Sequence, residues 1–402
     1  MKVVILGGGI SGLSAAYYLL KKHPDAEVTL LEKSNRLGGW IDTTEVDRFL
    51  FERGPRTFQA ARCPKLLAMI RDLGLESELV YSSPEAKSRY LWYQGKLRPL
   101  GAFWFTMLRA FCKDLVTPKG MKEETIYEFG CRRLGKRATE LLLGPMTTGV
   151  HGGDMKKLSM RSSFPLLHAW EQMHGSLFKG AFKAPKSPLK GLFTLRSGVK
   201  RLIEALGNLP IKVHCNTPVQ ELTADGVMAG GHFFAADQII SALPAPEISR
   251  LTQIPISIRY ESMHVVNFGF KGNVLPLKGY GYLIPATENE ELLGMIWDSA
   301  IFPVSGQTKV TAMVRSHDPL AAALSAMERH LGVKQPPEAV LVTRAEIPQS
   351  EVGHSQRIQE FEATIKSRYP KMRLVGNYYL GGASVEGCLE GAERVGVLSL
   401  AL

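Results

Sequence analysis

The sequence predicts a mixed α/β and α+β chain: a parallel-sheet nucleotide-binding unit first, a helical middle, then a strand-rich second half. Three observations predict it. A β-branched run from Val3 to Leu6 leads through a glycine turn and a helix into a second strand ending at Leu31. Residues 101–182 carry mostly helical apolar period, and residues 260–345 carry repeated short apolar strands. The chain has 402 residues, too many for one small core, so several lobes are expected. With 45% hydrophobic and 22% charged residues it is an ordinary globular chain, which excludes a disordered tail or a collagen-like repeat. The net charge of +11 favours anionic partners, without choosing among an acidic substrate, a membrane surface and nucleic acid.

The first forty residues are the most specific. Val3 to Leu6 reads as a strand buried on both faces. Gly7-Gly8-Gly9-Ile10-Ser11-Gly12 satisfies G-x-G-x-x-G and opens a helix over Leu13 to Leu20. The next strand, Val28 to Leu31, ends at Glu32, 20 residues after Gly12, the spacing of an acid that takes a ribose hydroxyl. Gly7 allows the tight turn, Gly9 lets backbone approach a pyrophosphate, and Gly12 lets helix and strand pack closely. The helix N-terminus offers free N–H groups and a positive dipole end. This is a Rossmann-like register. Arg36-Leu37-Gly38-Gly39-Trp40 adds a second diglycine, and Phe51 to Thr57 a further glycine turn with a basic residue. Each segment alone is equally a surface turn. Together they suit the long, extended FAD better than NAD.

Further along, Pro64 to Leu73 reads as a helix closed by Gly74, and Ser88 to Tyr93 pairs with Lys96 to Arg98 across Gln94-Gly95. Helical breaks are expected near Thr117-Pro118 and Gly144-Pro145. Gly198 to Leu206 reads as a helix, and Ile211 to His214, Pro218 to Leu222 and Ala236 to Ala242 return the chain to the nucleotide-binding sheet. Later strands are expected at His264 to Phe270, Gly281 to Pro285, Gly294 to Asp298 and Val310 to Arg315. The five cysteines are scattered with no Cys-x-x-Cys, and the ten histidines show no ligand spacing, so no metal site is expected and the thiols suit a reducing compartment. No run approaches the roughly 18 apolar residues of a membrane span, and the N-terminus has no signal-peptide pattern.

The run from Gly7 to Leu13, Glu32 and Arg36 to Trp40 resembles the flavin amine oxidase superfamily. Phe51 to Thr57, Thr148 to Asp154, Leu158 to Pro165 and Gly376 to Ala392 resemble, within it, the oxygen-dependent protoporphyrinogen oxidase and coproporphyrinogen III oxidase family. The matches run in family order along the whole chain. Departures are a shorter overall length, a trimmed 172–200 region and one extra residue between Asn377 and Cys388. The resemblance implies FAD held by Gly7, Gly8, Gly9, Ile10, Ser11, Gly12, Glu32, Lys33, Gly39, Trp40, Gly54, Pro55, Arg56, Thr57, Val219, Ala383, Ser384 and Val385. It implies a tetrapyrrole against Arg89, Gly149, Tyr280, Leu283, Ile296 and Met313, with Arg89 pairing a propionate. It names no catalytic side chain, since the cofactor carries the chemistry and dioxygen reoxidises it, leaving as hydrogen peroxide.

The same resemblance implies segments at 1–84, 191–250 and 346–402 for FAD, 85–190 for a helical membrane-associated lobe and 251–345 for a substrate sheet. Two aromatic patches fit such a lobe. Phe103, Trp104, Phe105, Met107, Leu108 and Phe111 lie among Arg98, Arg109 and Lys113. Leu177, Phe178, Phe182, Leu192 and Phe193 lie in an acid-free stretch with Lys179, Lys183, Lys186, Lys190, Arg196, Lys200 and Arg201. The bland alternative is a core helix face plus a solvated basic loop. The expectation is a cytoplasmic protein peripherally associated with the inner membrane through anionic lipid, without nucleic acid, and with a homodimer left open. Other readings are a superfamily member acting on an amine or a polyene, marked by an aromatic cage around the flavin, and a non-enzymatic basic binder, marked by protein without flavin colour.

Overall fold

A computed structural model describes residues 1–185, 187–379 and 383–397; Lys186 of the basic stretch lies outside them. At its centre five parallel strands lie in the order Lys212–His214, Glu27–Leu31, Lys2–Leu6, Gln238–Ser241, Met372–Leu374. Val3 to Leu6 are at most 1% exposed, which is why this run carries no polar alternation. Helix Ile10–Lys22 covers one face with helix Val385–Val397 beside it. Cys388 meets Ser11 and Gly396 meets Tyr18, so these two helices run parallel and open at the same edge of the sheet. An antiparallel meander, Val219–Leu222, Gly226–Ala229 and His232–Ala235, follows the expected return to this unit.

A second sheet has seven strands in the order Ala339–Gln349, Arg259–Lys271, Gln307–Val314, Leu292–Ile296, Gly281–Leu283, Arg89–Tyr93, Lys96–Pro99. The early hairpin joins it parallel to Gly281–Leu283, with Gly281 opposite Arg89. Alternation divides the side chains. Phe268, Phe270, Trp297, Ala312 and Val314 pack under helix Pro319–Leu331. The opposite face keeps Val265, Asn267, Ile296, Thr311 and Met313.

The middle segment folds as helices Trp104–Val116, Ile126–Arg133, Gly144–His151, Pro165–His174 and Leu177–Lys183. The break at Thr117-Pro118 is present; the one expected at Gly144-Pro145 is not. A π-helical turn, Thr139–Leu143, runs straight into Gly144–His151, and Pro145 sits in the first turn, where a missing N–H is tolerated. Arg133, Asp114 and Glu171 are fully buried here, Arg133 donating to Glu171 at 2.7 Å with Asp114 3.1 Å away. The aromatic patches divide. Trp104, Phe105, Leu108 and Phe182 are exposed, whereas Phe103, Leu177 and Phe193 are core. Phe193 is buried because Leu192–Leu195 is a strand pairing with Leu79–Tyr81 and Phe58–Gln59, a pairing that local hydropathy cannot reveal.

Candidate functional site

At the open edge of the central sheet the chain turns on glycine where backbone meets backbone. Gly7 adopts φ +98° and donates to the Leu31 carbonyl at 2.8 Å. A Cβ on Gly12 would stand 2.0 Å from the Gly7 carbonyl oxygen, and one on Gly54 2.1 Å from that of Trp40. Gly39 faces Gly9, a Cβ there standing 3.3 Å from the Gly9 Cα. The diglycine turn therefore packs onto the first motif, and the Gly54 turn packs onto the diglycine turn. Ile10 and Ser11 form the first helical turn; Trp40 and Lys33 are exposed.

Glu32 accepts from the Gly8 amide at 2.8 Å and from the Ser34 amide and hydroxyl at 2.8 and 2.7 Å. Its own carbonyl accepts from Thr217, which leads the chain to Val219 two residues later. The Val219 carbonyl takes Arg250 at 3.2 Å. Ala383 and Ser384 precede helix Val385–Val397, and Ser384 Oγ accepts from the Gly387 amide at 3.0 Å. Residues 380–382 of the C-terminal motif lie outside the described residues. Two parallel helix N-termini, glycine backbone without side chains and an acid at the second strand form a cradle that fits a dinucleotide pyrophosphate and ribose.

The second half of the site is the free face of the seven-stranded sheet. Asn267, Thr311 and Ile296 stand in one row; Val265, Met313, Gly294 and Leu283 stand in the next. Gly149 lies on Leu283, since a Cβ there would be 2.7 Å from Leu283 Cδ2. Beyond Gly281 the Arg89 guanidinium sits 4.9 Å over the Tyr280 ring. Burial pushes the Tyr280 phenol above its ordinary value, against the pull of Arg89. The fold thus brings Arg89, Gly149, Tyr280, Leu283, Ile296 and Met313 to one side of one sheet.

Arg56 joins the two halves. Its guanidinium donates to Asn267 Oδ1 at 3.0 Å, to the Thr311 hydroxyl and to the Glu52 carbonyl at 2.9 Å, and lies 3.6 Å from Asp298. Lys309 donates to the Leu50 carbonyl at 3.1 Å, and burial pushes its ammonium down although Asp298 and Glu52 pull it up. Sequence reasoning missed Asn267, Thr311, Asp298 and Lys309. The available signal was one polar residue inside His264-Val265-Val266-Asn267-Phe268-Gly269-Phe270, and Lys309 and Thr311 on one side of a strand.

A glycine-lined dinucleotide cradle tied by a half-buried arginine to an apolar sheet face defines a nucleotide-cofactor oxidoreductase. Residues 10–396 match the family described as flavin containing amine oxidoreductase, and the chain belongs to that family. Its cofactor is FAD. It is 32% identical to protoporphyrinogen oxidase of Bos taurus over 98% of this chain and 97% of that one. It is 30% identical to coproporphyrinogen III oxidase of Bacillus subtilis strain 168 over 96% and 94%. A crystal structure from Exiguobacterium sp. 255-15 superposes with a TM-score of 0.84 at 24% identity, covering 98% of this chain and 97% of the other. Reduced UDP-galactopyranose mutase gives 0.73 at 15% over 100% and 96%; these two likenesses show the fold.

Proposed function

We propose that this chain is an oxygen-dependent porphyrinogen oxidase of haem biosynthesis, converting protoporphyrinogen IX or coproporphyrinogen III to the porphyrin. The observation that carries it is the apolar patch Leu283, Ile296 and Met313 on adjacent rows of one sheet face, faced by side-chain-free Gly149 and rimmed by Arg89 over Tyr280. The names of the bovine and Bacillus relatives support the same reading. Six protons and six electrons leave the macrocycle, and three dioxygen molecules take them up to become three hydrogen peroxide molecules. Bound FAD supplies hydride acceptance from the bridging carbons. The chain's own residues bind and orient. The apolar patch takes the flat face of the macrocycle, Gly149 leaves room for it, and Arg89 takes a propionate bidentately while the Tyr280 ring restrains the guanidinium.

In the same reading the five segments expected from sequence divide FAD, substrate and membrane work. Trp104 at 62%, Phe105 at 55% and Phe182 at 81% exposure, with basic residues beside them, support peripheral contact with an anionic inner-membrane surface from the cytoplasm. Among the described residues no helix is long and apolar enough to cross a membrane. The test of function is aerobic porphyrin fluorescence, with both porphyrinogens run against an enzyme-free blank. A faster rise with one supports the reading and fixes its substrate. No rise from flavin-loaded protein overturns it in favour of an amine or polyene oxidase.

A further inference from the structure

Asn267 sits in strand Arg259–Lys271, paired on both edges and 1% exposed. Chemistry fixes its amide. Arg56 Nη1 lies 3.0 Å from one side-chain atom, and a guanidinium only donates, so that atom is the oxygen Oδ1. The Thr311 hydroxyl lies 2.8 Å from the same oxygen. The Nδ2 group therefore points away from both, and it has no partner among the described residues. A buried donor left unmet costs about 1–3 kcal/mol. Flipping the amide does not relieve it, because N–H would then face N–H. A fully buried, locked donor on the free face of the sheet is a group built for a ligand.

The acceptor is not the macrocycle. All four porphyrinogen nitrogens carry hydrogen, so only its carboxylates accept. Arg89, the group suited to them, lies four strands away in the sheet, roughly 19 Å at about 4.8 Å per strand. The flavin ring, by contrast, carries carbonyl oxygens and bare nitrogens along its pyrimidine edge. Arg56 belongs to the Gly54–Thr57 turn, whose Gly54 abuts the Trp40 carbonyl of the diglycine turn, and Gly39 of that turn faces Gly9 of the first glycine motif. We propose that Asn267 donates its Nδ2 hydrogen to an acceptor on that flavin edge, with Arg56 as the positioning residue that locks the amide. The inference rests on the FAD assignment. Because negative charge gathers on that edge when the flavin is reduced, the donor favours the reduced form.

The test is Asn267→Asp, which keeps the shape and the oxygen facing Arg56 but replaces the donor by an acceptor. The expected result is a rise of about five- to tenfold in the FAD dissociation constant of the stripped protein. The bound-flavin absorption should shift and the midpoint potential should fall. Asn267→Ala, which adds no charge, should show the same directions and serves if the first variant does not fold. Wild-type affinity, spectrum and potential in both variants overturn the proposal. So does a change confined to the KM for the porphyrinogen, which would place the donor on the substrate. Wild-type protein that takes up no flavin overturns the FAD assignment itself.

Discussion

Single residues in this site act through charge and through absence of a side chain. Arg89 is exposed and stacked on Tyr280, and among the described residues no carboxylate pairs with it. Arg89→Ala should lower kcat/KM for a carboxylate-bearing porphyrinogen about tenfold or more, since a charge-assisted pair is worth about 1.5–3 kcal/mol. Most of the loss should appear in KM, and raising salt should shrink the difference between variant and wild type. Gly12→Ala places a Cβ against the Gly7 carbonyl at 2.0 Å, where no flexible side chain can yield. The expected outcome is protein purified with little flavin, read as the ratio of absorbance near the flavin maximum to that of the protein.

At the scale of elements, the helical segment depends on a buried ion cluster rather than on a large apolar core. Burial alone would push the Glu171 carboxyl up, but Arg133 and Arg132 hold it below its ordinary value. Arg133→Met leaves Asp114 and Glu171 buried without their common partner. Loss of about 3–5 kcal/mol is expected. It should be seen as early proteolysis between Trp104 and Lys183, with the sheets still protected. The exposed aromatics of the same segment make the membrane proposal testable. Vesicles of anionic lipid at low salt should float the wild type, and Trp104→Ser with Phe182→Ser should stay with the soluble fraction.

For the molecule as a whole, buried histidines set the acid limit. Burial pushes His330 down to about 4, between Trp92 and Tyr282 and despite Glu290; it pushes His151 down to about 4 as well. Below pH 6.5 the unfolded chain binds protons that the folded chain refuses until about pH 4. Stability is therefore present at neutral pH and lost as pH falls through that window, by roughly 2–3 kcal/mol for His330. Urea midpoints between pH 7 and 4 should fall accordingly, and His330→Gln should flatten part of the slope.

The first half of the cradle was legible in the sequence because it is local. Gly7, Gly9, Gly12 and Glu32 owe their spacing to one strand, one turn and one helix, so some thirty residues mark a dinucleotide site, while the second helix N-terminus at Val385 joins it only in the fold. The strands of the apolar face were readable from period, whereas the substrate role proposed for that face comes from resemblance. What tertiary structure decided is where distant segments meet. Nothing local in Arg89 to Tyr93 says that it joins a sheet made two hundred residues later. Nothing in Leu192 to Leu195 says that Phe193 is core rather than a membrane aromatic. Nor does a lone asparagine in an apolar strand declare itself until Arg56, 211 residues away in sequence, takes its oxygen and leaves its nitrogen without a partner among the described residues. Hydropathy and period report one chain's local preference, whereas pairing and burial are set by which surfaces the whole fold brings together.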